Sequence, residues 1–189
     1  MDLKKEFERI ARSRINRDGL EDLLGWLSTT DFYAAPASSR YHGNFSGGLV
    51  THSLNVYRRL CDLGRMYGLE EDPASVESAT IVALFHDLCK VNFYKVSTRN
   101  VKNDRTGQWE KVPFYAFDEQ YPFGGHGSKS LFLVMNFMKL TPDEAAAINC
   151  HMGPWDRQDY GKPGEVFNNN LLAWLLHVAD EAATYIDKT

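Results

Sequence analysis

A long apolar segment that ends in a histidine and an aspartate constrains this chain more than any other feature. Residues 79–85 are almost entirely apolar, and His86 and Asp87 follow them directly. Because the run has no polar face, it predicts a buried helix, and Pro73 is a suitable first residue for it. A charged aspartate at the end of a buried helix is costly unless it is paired or bound to a metal ion. The segment therefore predicts either a helix end at which Asp87 pairs with Lys90 or a buried metal ligand.

Apolar residues recur at helical spacing along most of the chain, and they predict an all-α fold. The expected helices cover residues 3–14, 19–28, 49–67, 73–89, 127–139, 142–151 and 170–186. Residues 29–48 are expected to form an ordered loop, since they end in a Ser-Gly-Gly sequence. Within the third helix the core candidates are Leu54, Leu60, Leu63 and Met66. Before the sixth helix, Thr141 and Glu144 have the spacing of a capping box.

One segment departs from the helical pattern. Residues 93–117 carry aromatic runs on either side of a polar centre that contains Gly107. This arrangement predicts a β-hairpin, which would be the only sheet in an otherwise helical bundle. We expect one domain over residues 1–189, with N-terminal helices in residues 1–30 and the hairpin inserted at residues 93–117.

Charge and composition limit the classes of partner. The chain has 21 Lys and Arg against 25 Asp and Glu, a net charge of −4, so a broad basic surface for long nucleic acid is not expected. No apolar run approaches the roughly 20 residues that a membrane helix needs, and the N-terminus lacks an apolar signal core, so a cytoplasmic location is expected. The three cysteines, Cys61, Cys89 and Cys150, form no disulfide pattern and are interpreted as small core residues rather than zinc ligands.

Five separate elements each offer an imidazole or a carboxylate with apolar neighbours. Taken singly, each is open to an ordinary structural interpretation, as a satisfied core histidine or a capping aspartate. All five being ordinary at once is a weaker explanation than one shared metal site, because histidine and aspartate are common metal ligands. The residues concerned are His52, the His86-Asp87 pair, His126, His151 and Asp180.

In this order the motifs resemble the HD superfamily of metal-dependent phosphohydrolases. The resemblance covers roughly residues 32–185, and its two histidines beyond the minimal pattern resemble the binuclear branch. One departure is Cys89, which stands where family members usually have glycine. The stretch from Arg40 to His52 is most similar to the HD domain of 3′–5′ exoribonucleases, although their nucleic-acid-binding domain has no room in this chain. The motifs are Gly47-Gly48-Leu49-Val50-Thr51-His52, His86-Asp87-Leu88-Cys89-Lys90, Gly125-His126-Gly127, Cys150-His151-Met152-Gly153 and Leu176-His177-Val178-Ala179-Asp180.

The resemblance implies two divalent transition-metal ions, which could be Mn, Fe, Co, Ni or Zn. The implied ligands are His52, His86, Asp87, His126, His151 and Asp180, with Asp87 bridging the two ions. A metal-activated hydroxide would then attack a phosphate without a protein nucleophile. Lys90 resembles the family lysine that contacts phosphate, and its ordinary interpretation is a solvated helix end.

Further candidates surround this set, and for each a surface or core role is an equal alternative. Lys129, His42, Arg40 and Arg157, together with Asp156, lie in places from which they could contact substrate. His177 precedes Asp180 by three residues and could orient a metal ligand from the same helix face. The hairpin could cover the site as a lid, with Tyr94, Trp109 and Tyr115 available to stack on a base.

Three functions are compatible with these residues. The first is hydrolysis of a phosphate ester of a nucleotide or short oligonucleotide, with a small phosphorylated molecule as the expected partner. The second is a di-iron oxygenase of the HD type that acts on a small polar substrate. The third is a module that binds a nucleotide without turnover, although an intact ligand set argues against it.

Overall fold

The structure is a computed structural model that describes residues 2–69, 71–119, 123–155 and 162–189. Most of the described chain is helical, as predicted. The helices are α1 (Leu3–Arg14), α2 (Leu20–Ser28), α3 (Gly48–Tyr67), α4 (Pro73–Phe85), α5 (His126–Met135), α6 (Pro142–Cys150), α7 (Lys162–Asn169) and α8 (Leu171–Ala182). Short 3-10 turns cover Leu88–Lys90 and Gly153–Trp155, and a π-helical turn covers Ala183–Asp187. No described helix has the length and apolar character needed to cross a membrane.

Helix α4 is the centre of the bundle, as its apolar sequence predicts. Asp72 caps its first turn by accepting hydrogen bonds from the amides of Ala74 and Ser75, and Pro73 occupies the first helical position. Every residue from Thr80 to Phe85 is buried. The helix contacts α1, α3, α6 and α8, so its C-terminal end lies among several helix termini.

The predicted end of this helix was wrong by one turn, and the difference matters for the site. Helix α4 ends at Phe85 instead of continuing to residue 89, and His86 is its C-cap. Asp87 then leaves helical geometry before the 3-10 turn at Leu88–Lys90 begins. This break turns Asp87 away from the helical path, so that its carboxylate lies close to the Nε2 atom of His86.

The hairpin is confirmed, and it is the only sheet in the described residues. Strand β1 (Tyr94–Lys102) pairs antiparallel with strand β2 (Trp109–Phe117), with Tyr94 opposite Phe117 and Lys102 opposite Trp109. Gly107 has φ 71° in the connecting turn, a conformation that glycine adopts without strain. The base of the hairpin lies beside α5 and the site, while its tip extends into solvent.

Elsewhere in the bundle one prediction is confirmed, one is wrong, and one helix was not predicted. The capping box of Thr141 and Glu144 is present at the start of α6. Met66 is not a core residue, since it is 74% exposed in the last turn of α3, whereas Leu54 and Leu60 are buried. Helix α7 was not predicted, because its segment is short and interrupted by Pro163 and Gly164.

A buried ion pair connects the N-terminal helices to the bundle. Glu144 is fully buried, and both of its oxygens accept hydrogen bonds from Arg17, at 2.7 and 3.1 Å. Arg17 also binds Glu77 on α4 at 2.9 Å, and the hydroxyl of Ser78 donates to Glu144 at 2.7 Å. Arg17 therefore holds the α1–α2 connection against both α4 and α6.

The substitution Arg17→Met should lower the free energy of unfolding by about 3 kcal/mol, because it leaves the buried Glu144 carboxylate without its cation. Urea denaturation followed by circular dichroism measures the change. Arg12→Met is the matched control, since Arg12 is 46% exposed in its pairs with Glu8 and Glu21 and should lose less than about 1 kcal/mol. Equal losses in the two variants would contradict the role assigned to Arg17.

Candidate metal centre

Three buried histidines present the same nitrogen to a common point. The ring nitrogen Nδ1 of His86 donates to the carbonyl of Ala83 at 2.9 Å, and that of His151 donates to the carbonyl of Ile148 at 2.7 Å. In both cases the residue that follows the helix bonds back to the last turn. The Nδ1 atom of His52 reaches further, to the carbonyl of Thr189 at 2.7 Å.

These bonds determine the tautomer of each ring. A carbonyl oxygen can only accept, so Nδ1 must carry the hydrogen in all three residues. In a neutral ring the lone pair then lies on Nε2, the second nitrogen. The Nε2 atoms of His52, His86 and His151 are buried and have no hydrogen-bond partner. Buried polar atoms without a partner are uncommon and indicate a missing ion or ligand.

Two carboxylates complete this cluster. The Nε2 atom of His52 lies 3.0 Å from Oδ1 of Asp180 and 3.6 Å from Oδ2 of Asp87. Asp87 uses both of its oxygens, because Oδ2 lies 3.6 Å from Nε2 of His86 and Oδ1 lies 3.6 Å from Nε2 of His151. We refer to His52, His86, Asp87, His151 and Asp180 as the five-residue cluster. Within it, two overlapping groups have the spacing of a metal site: His52, His86 and Asp87, and His86, His151 and Asp180.

The charges in the five-residue cluster favour a cation between its imidazole nitrogens and its carboxylate oxygens. Burial lowers the pKa of His86 to about 4, which keeps that ring neutral. Burial would raise the pKa of Asp87, yet the Lys90 ammonium and the nearby imidazoles hold it well below its usual range. Burial would also lower the pKa of His151, but the carboxylate of Asp87 raises it. The neutral ring of His86 faces ionised carboxylates, and the raised pKa of His151 shows that these carboxylates favour positive charge beside them, so the donor set fits a divalent transition metal.

Lys90 is a buried residue that pairs with Asp87 at the edge of the cluster. Its Nζ atom lies 2.6 Å from Oδ2 of Asp87, so the ion pair expected at an ordinary helix end is present. However, Lys90 is only 9% exposed and is not a solvated residue. Burial would lower the pKa of Lys90, but the Asp87 carboxylate raises it above its usual value, so the ammonium remains charged beside the cluster.

His126 lies apart from the five-residue cluster. It is exposed at the first position of α5, and its Nδ1 atom lies 3.4 Å from the Sγ atom of Cys89. That sulfur is in turn 3.8 Å from Oδ1 of Asp87. Burial raises the pKa of the Cys89 thiol to about 12, which makes the thiol a poor metal ligand. Cys89 therefore separates His126 from the other predicted ligands, and ligation by His126 stays a prediction.

The start of α5 nevertheless approaches the end of α6 closely. A Cβ added to Gly127 would lie 2.1 Å from the carbonyl oxygen of Asn149, so only glycine permits this approach. The contact lies one residue after His126 and two residues before His151.

The remaining candidates have varied surroundings. The ring of His42 lies 5.2 Å from that of His52, and burial lowers the pKa of His42 to about 4. Lys129 binds Glu119 at 2.8 Å and lies 5.1 Å from the ring centre of Phe93. Arg40 is exposed in the loop before α3. Arg157 and Asp156 lie outside the described residues.

His177 contacts the backbone of a cluster residue and not its ring. Its Nδ1 atom donates to the carbonyl of His151 at 2.7 Å, and its ring stacks on Phe167 at 5.1 Å. A Cβ on Gly153 would approach the same ring within 2.8 Å. His177 thus fixes the chain just after α6, and its predicted role in orienting a metal ligand stays a prediction.

Sequence reasoning missed Thr189 and Glu119. Thr189 binds His52 through its carbonyl and Asn55 through its hydroxyl at 2.9 Å, and Glu119 binds Lys129. Every residue can accept a hydrogen bond through its backbone carbonyl, so residue type gave no signal that could have identified Thr189.

Comparison with known proteins agrees with this geometry. The family model of the HD domain matches residues 49–185, which include the whole five-residue cluster and His126. The chain belongs to the HD domain family. HD domains are mostly metal-dependent phosphohydrolases, and the clustered histidines and aspartates of this member fit divalent metal binding. No curated protein and no solved structure matches the chain.

Replacement of Asp180 by asparagine should reduce the affinity for Mn²⁺ at least 10-fold, because a neutral amide of the same size and shape replaces a charged ligand. Isothermal titration of metal-free protein measures this change. Asp187→Asn is the matched control, since Asp187 follows on the same chain segment but pairs with Arg59. An unchanged affinity in Asp180→Asn would place the ion elsewhere.

Proposed function

We propose that this HD domain is a metal-dependent phosphohydrolase that cleaves a phosphate ester of a nucleotide or short oligonucleotide. The observation that carries the proposal is the set of three buried Nε2 atoms, each without a partner and each facing Asp87 or Asp180. Bound divalent ions would supply Lewis acidity and lower the pKa of water to near neutrality. No serine or cysteine nucleophile is needed, and the buried Cys89 thiol remains protonated.

Residues around the cluster suit an anionic substrate. The Lys90 ammonium lies 2.6 Å from Asp87, so it could donate to a phosphate oxygen held at the cluster. His42 is held neutral by burial beside His52, so it could donate or accept a hydrogen bond without adding charge. The nearby Lys129 is already bound to Glu119, which makes a direct phosphate contact by Lys129 the weakest of these assignments.

The proposal includes two ions, with identities among Mn, Fe, Co, Ni and Zn. The two overlapping ligand groups share the Nε2 atom of His86 and so support one ion within the five-residue cluster. The second ion would use His126 as a further ligand. Because His126 is exposed and contacts Cys89, its contribution should be the weakest, and the ion that it binds should be lost first.

Metal content therefore distinguishes the ligands. Plasma mass spectrometry of protein purified without chelator or affinity nickel should find about two transition-metal ions per chain. His126→Ala should retain about one, and Asp87→Ala should retain fewer than the His126 variant, because Asp87 contacts three histidines. Two ions retained in Asp87→Ala would contradict its bridging role.

Turnover tests the function itself. Wild-type protein with Mn²⁺ should hydrolyse bis(p-nitrophenyl) phosphate or a nucleotide ester, whereas Asp87→Ala should have no activity above background at unchanged helical content. Bound iron with no hydrolysis but O₂-dependent turnover would instead indicate the oxygenase chemistry known within HD relatives. Tight nucleotide binding without any turnover would indicate a binding module.

Lys90 should act on substrate and not on metal. Lys90→Met is expected to lower kcat about 100-fold, which is the usual effect of removing one donor to developing negative charge. Its metal content should equal that of wild type. Lys95→Met is the matched control, because Lys95 forms an exposed pair with Asp118 and should retain full activity. Loss of metal in Lys90→Met would give Lys90 a structural role instead.

A further inference from the structure

A groove of about 530 Å³ lies between the loop that precedes α3 and the β-hairpin. Arg40 and Asn44 line it from the loop. The hairpin contributes side chains from both strands, and these are Val96, Arg99, Phe114 and Tyr115. Among the described residues, no acidic side chain lines this groove. It is separate from the five-residue cluster, and of its residues only Arg40 and Tyr115 were predicted to contact substrate.

Both walls of the groove begin beside the metal centre. On the loop side, Arg40 is two residues before His42, whose ring lies 5.2 Å from that of His52. On the hairpin side, Tyr94 is near enough to Lys90 and Asp87 for their charges to act on its phenol. The ring of Tyr94 lies 6.4 Å from the ring of Tyr115 in the groove. A ligand bound at the cluster could therefore continue into the groove without a break.

The two arginines of the groove are available to an anion. Neither Arg40 nor Arg99 pairs with a carboxylate anywhere in the described part of the chain. Arg99 instead lies over the ring of Phe114, with 5.5 Å between its guanidinium carbon and the ring centre. A guanidinium held in this way presents a flat face for stacking and N–H groups for phosphate oxygens.

The length of the groove bears on the size of its ligand. Arg99 follows Tyr94 by five residues along β1, which corresponds to roughly 16 Å at strand spacing. A single phosphate bound at the cluster would not reach Arg99. A chain of phosphates and bases would, because aromatic rings and unpaired cations along a track are the elements that bind single strands.

We propose that the groove binds the bases and phosphates of a short single-stranded oligonucleotide whose scissile phosphate lies at the metal cluster. The inference rests on the proposed function and narrows its substrate to a chain of a few nucleotides. Arg99, held over the ring of Phe114, binds a phosphate away from the cleavage point, and Tyr115 provides a surface on which a base stacks. Residues 39–44 form the opposite wall, so the strand is held between loop and hairpin.

The test measures binding of a fluorescein-labelled tetrathymidylate with phosphorothioate linkages to metal-loaded protein, by fluorescence anisotropy. Arg99→Gln should weaken binding about 10-fold and reduce the slope of log K against log salt by about 0.7, the value for one phosphate contact on a single strand. Lys102→Gln is the matched control, since Lys102 is an exposed cation on the same strand but outside the groove, and it should change binding less than twofold. Turnover of bis(p-nitrophenyl) phosphate, which is too short to reach Arg99, should be unchanged in Arg99→Gln.

The outcomes separate this inference from the function on which it rests. Cleavage of the small ester together with Arg99-independent binding, or with equal affinity for thymidine monophosphate and the tetranucleotide, would overturn the groove and leave the hydrolase intact. Arg99-dependent binding without hydrolysis of any ester would support the groove and overturn the hydrolase. Displacement of the tetranucleotide by a glutamate-rich peptide at equal concentration would overturn the oligonucleotide in favour of an acidic peptide.

Discussion

Three hydrogen bonds from imidazole Nδ1 to backbone carbonyls determine what this bundle can bind. Each one fixes a hydrogen on the outer nitrogen of a ring and leaves the inner nitrogen, Nε2, with a lone pair directed at Asp87 or Asp180. Two of the acceptors belong to the last turn of the helix that carries the histidine. At His86 and His151 the hydrogen bond at the end of the helix therefore also orients the ring. The break after α4 brings the carboxylate of Asp87 to the same point.

The sequence predicted the parts of the site that depend on residue type within a helix. His86 and Asp87 were identifiable because an apolar helix rarely ends in such residues without a partner, and Asp180 because it interrupts a similar apolar run. The hairpin followed from its aromatic flanks and polar turn. In contrast, Met66 has helical spacing but lies in a terminal turn where neighbouring residues are also exposed, so periodicity alone misplaced it. The interactions of Thr189 and Glu119 were not predictable, because they depend on how distant segments meet.

Cys89 is the position at which this chain departs from the motif expected of the HD superfamily. The resemblance to the HD superfamily predicted a glycine at this position, whereas here a sulfur atom lies between Asp87 and His126. The thiol is buried and protonated, so it fills space near the carboxylate without adding charge. The substitution was visible in the sequence, but its consequence was not, since the position of His126 relative to the cluster depends on the start of α5.

The bond between His52 and Thr189 joins residues that are 137 positions apart in the chain. The predicted ligands run from His52 to Asp180, so no contiguous fragment of moderate length contains all of them. An unfolded or partly synthesised chain would offer only isolated imidazoles and carboxylates, whose affinity for a metal ion is low. Ions that bind only the folded state stabilise it in proportion to their concentration and affinity. If these residues bind the proposed ions, metal capture would be a late event in folding, and the bound ions would link segments near the two ends of the HD domain.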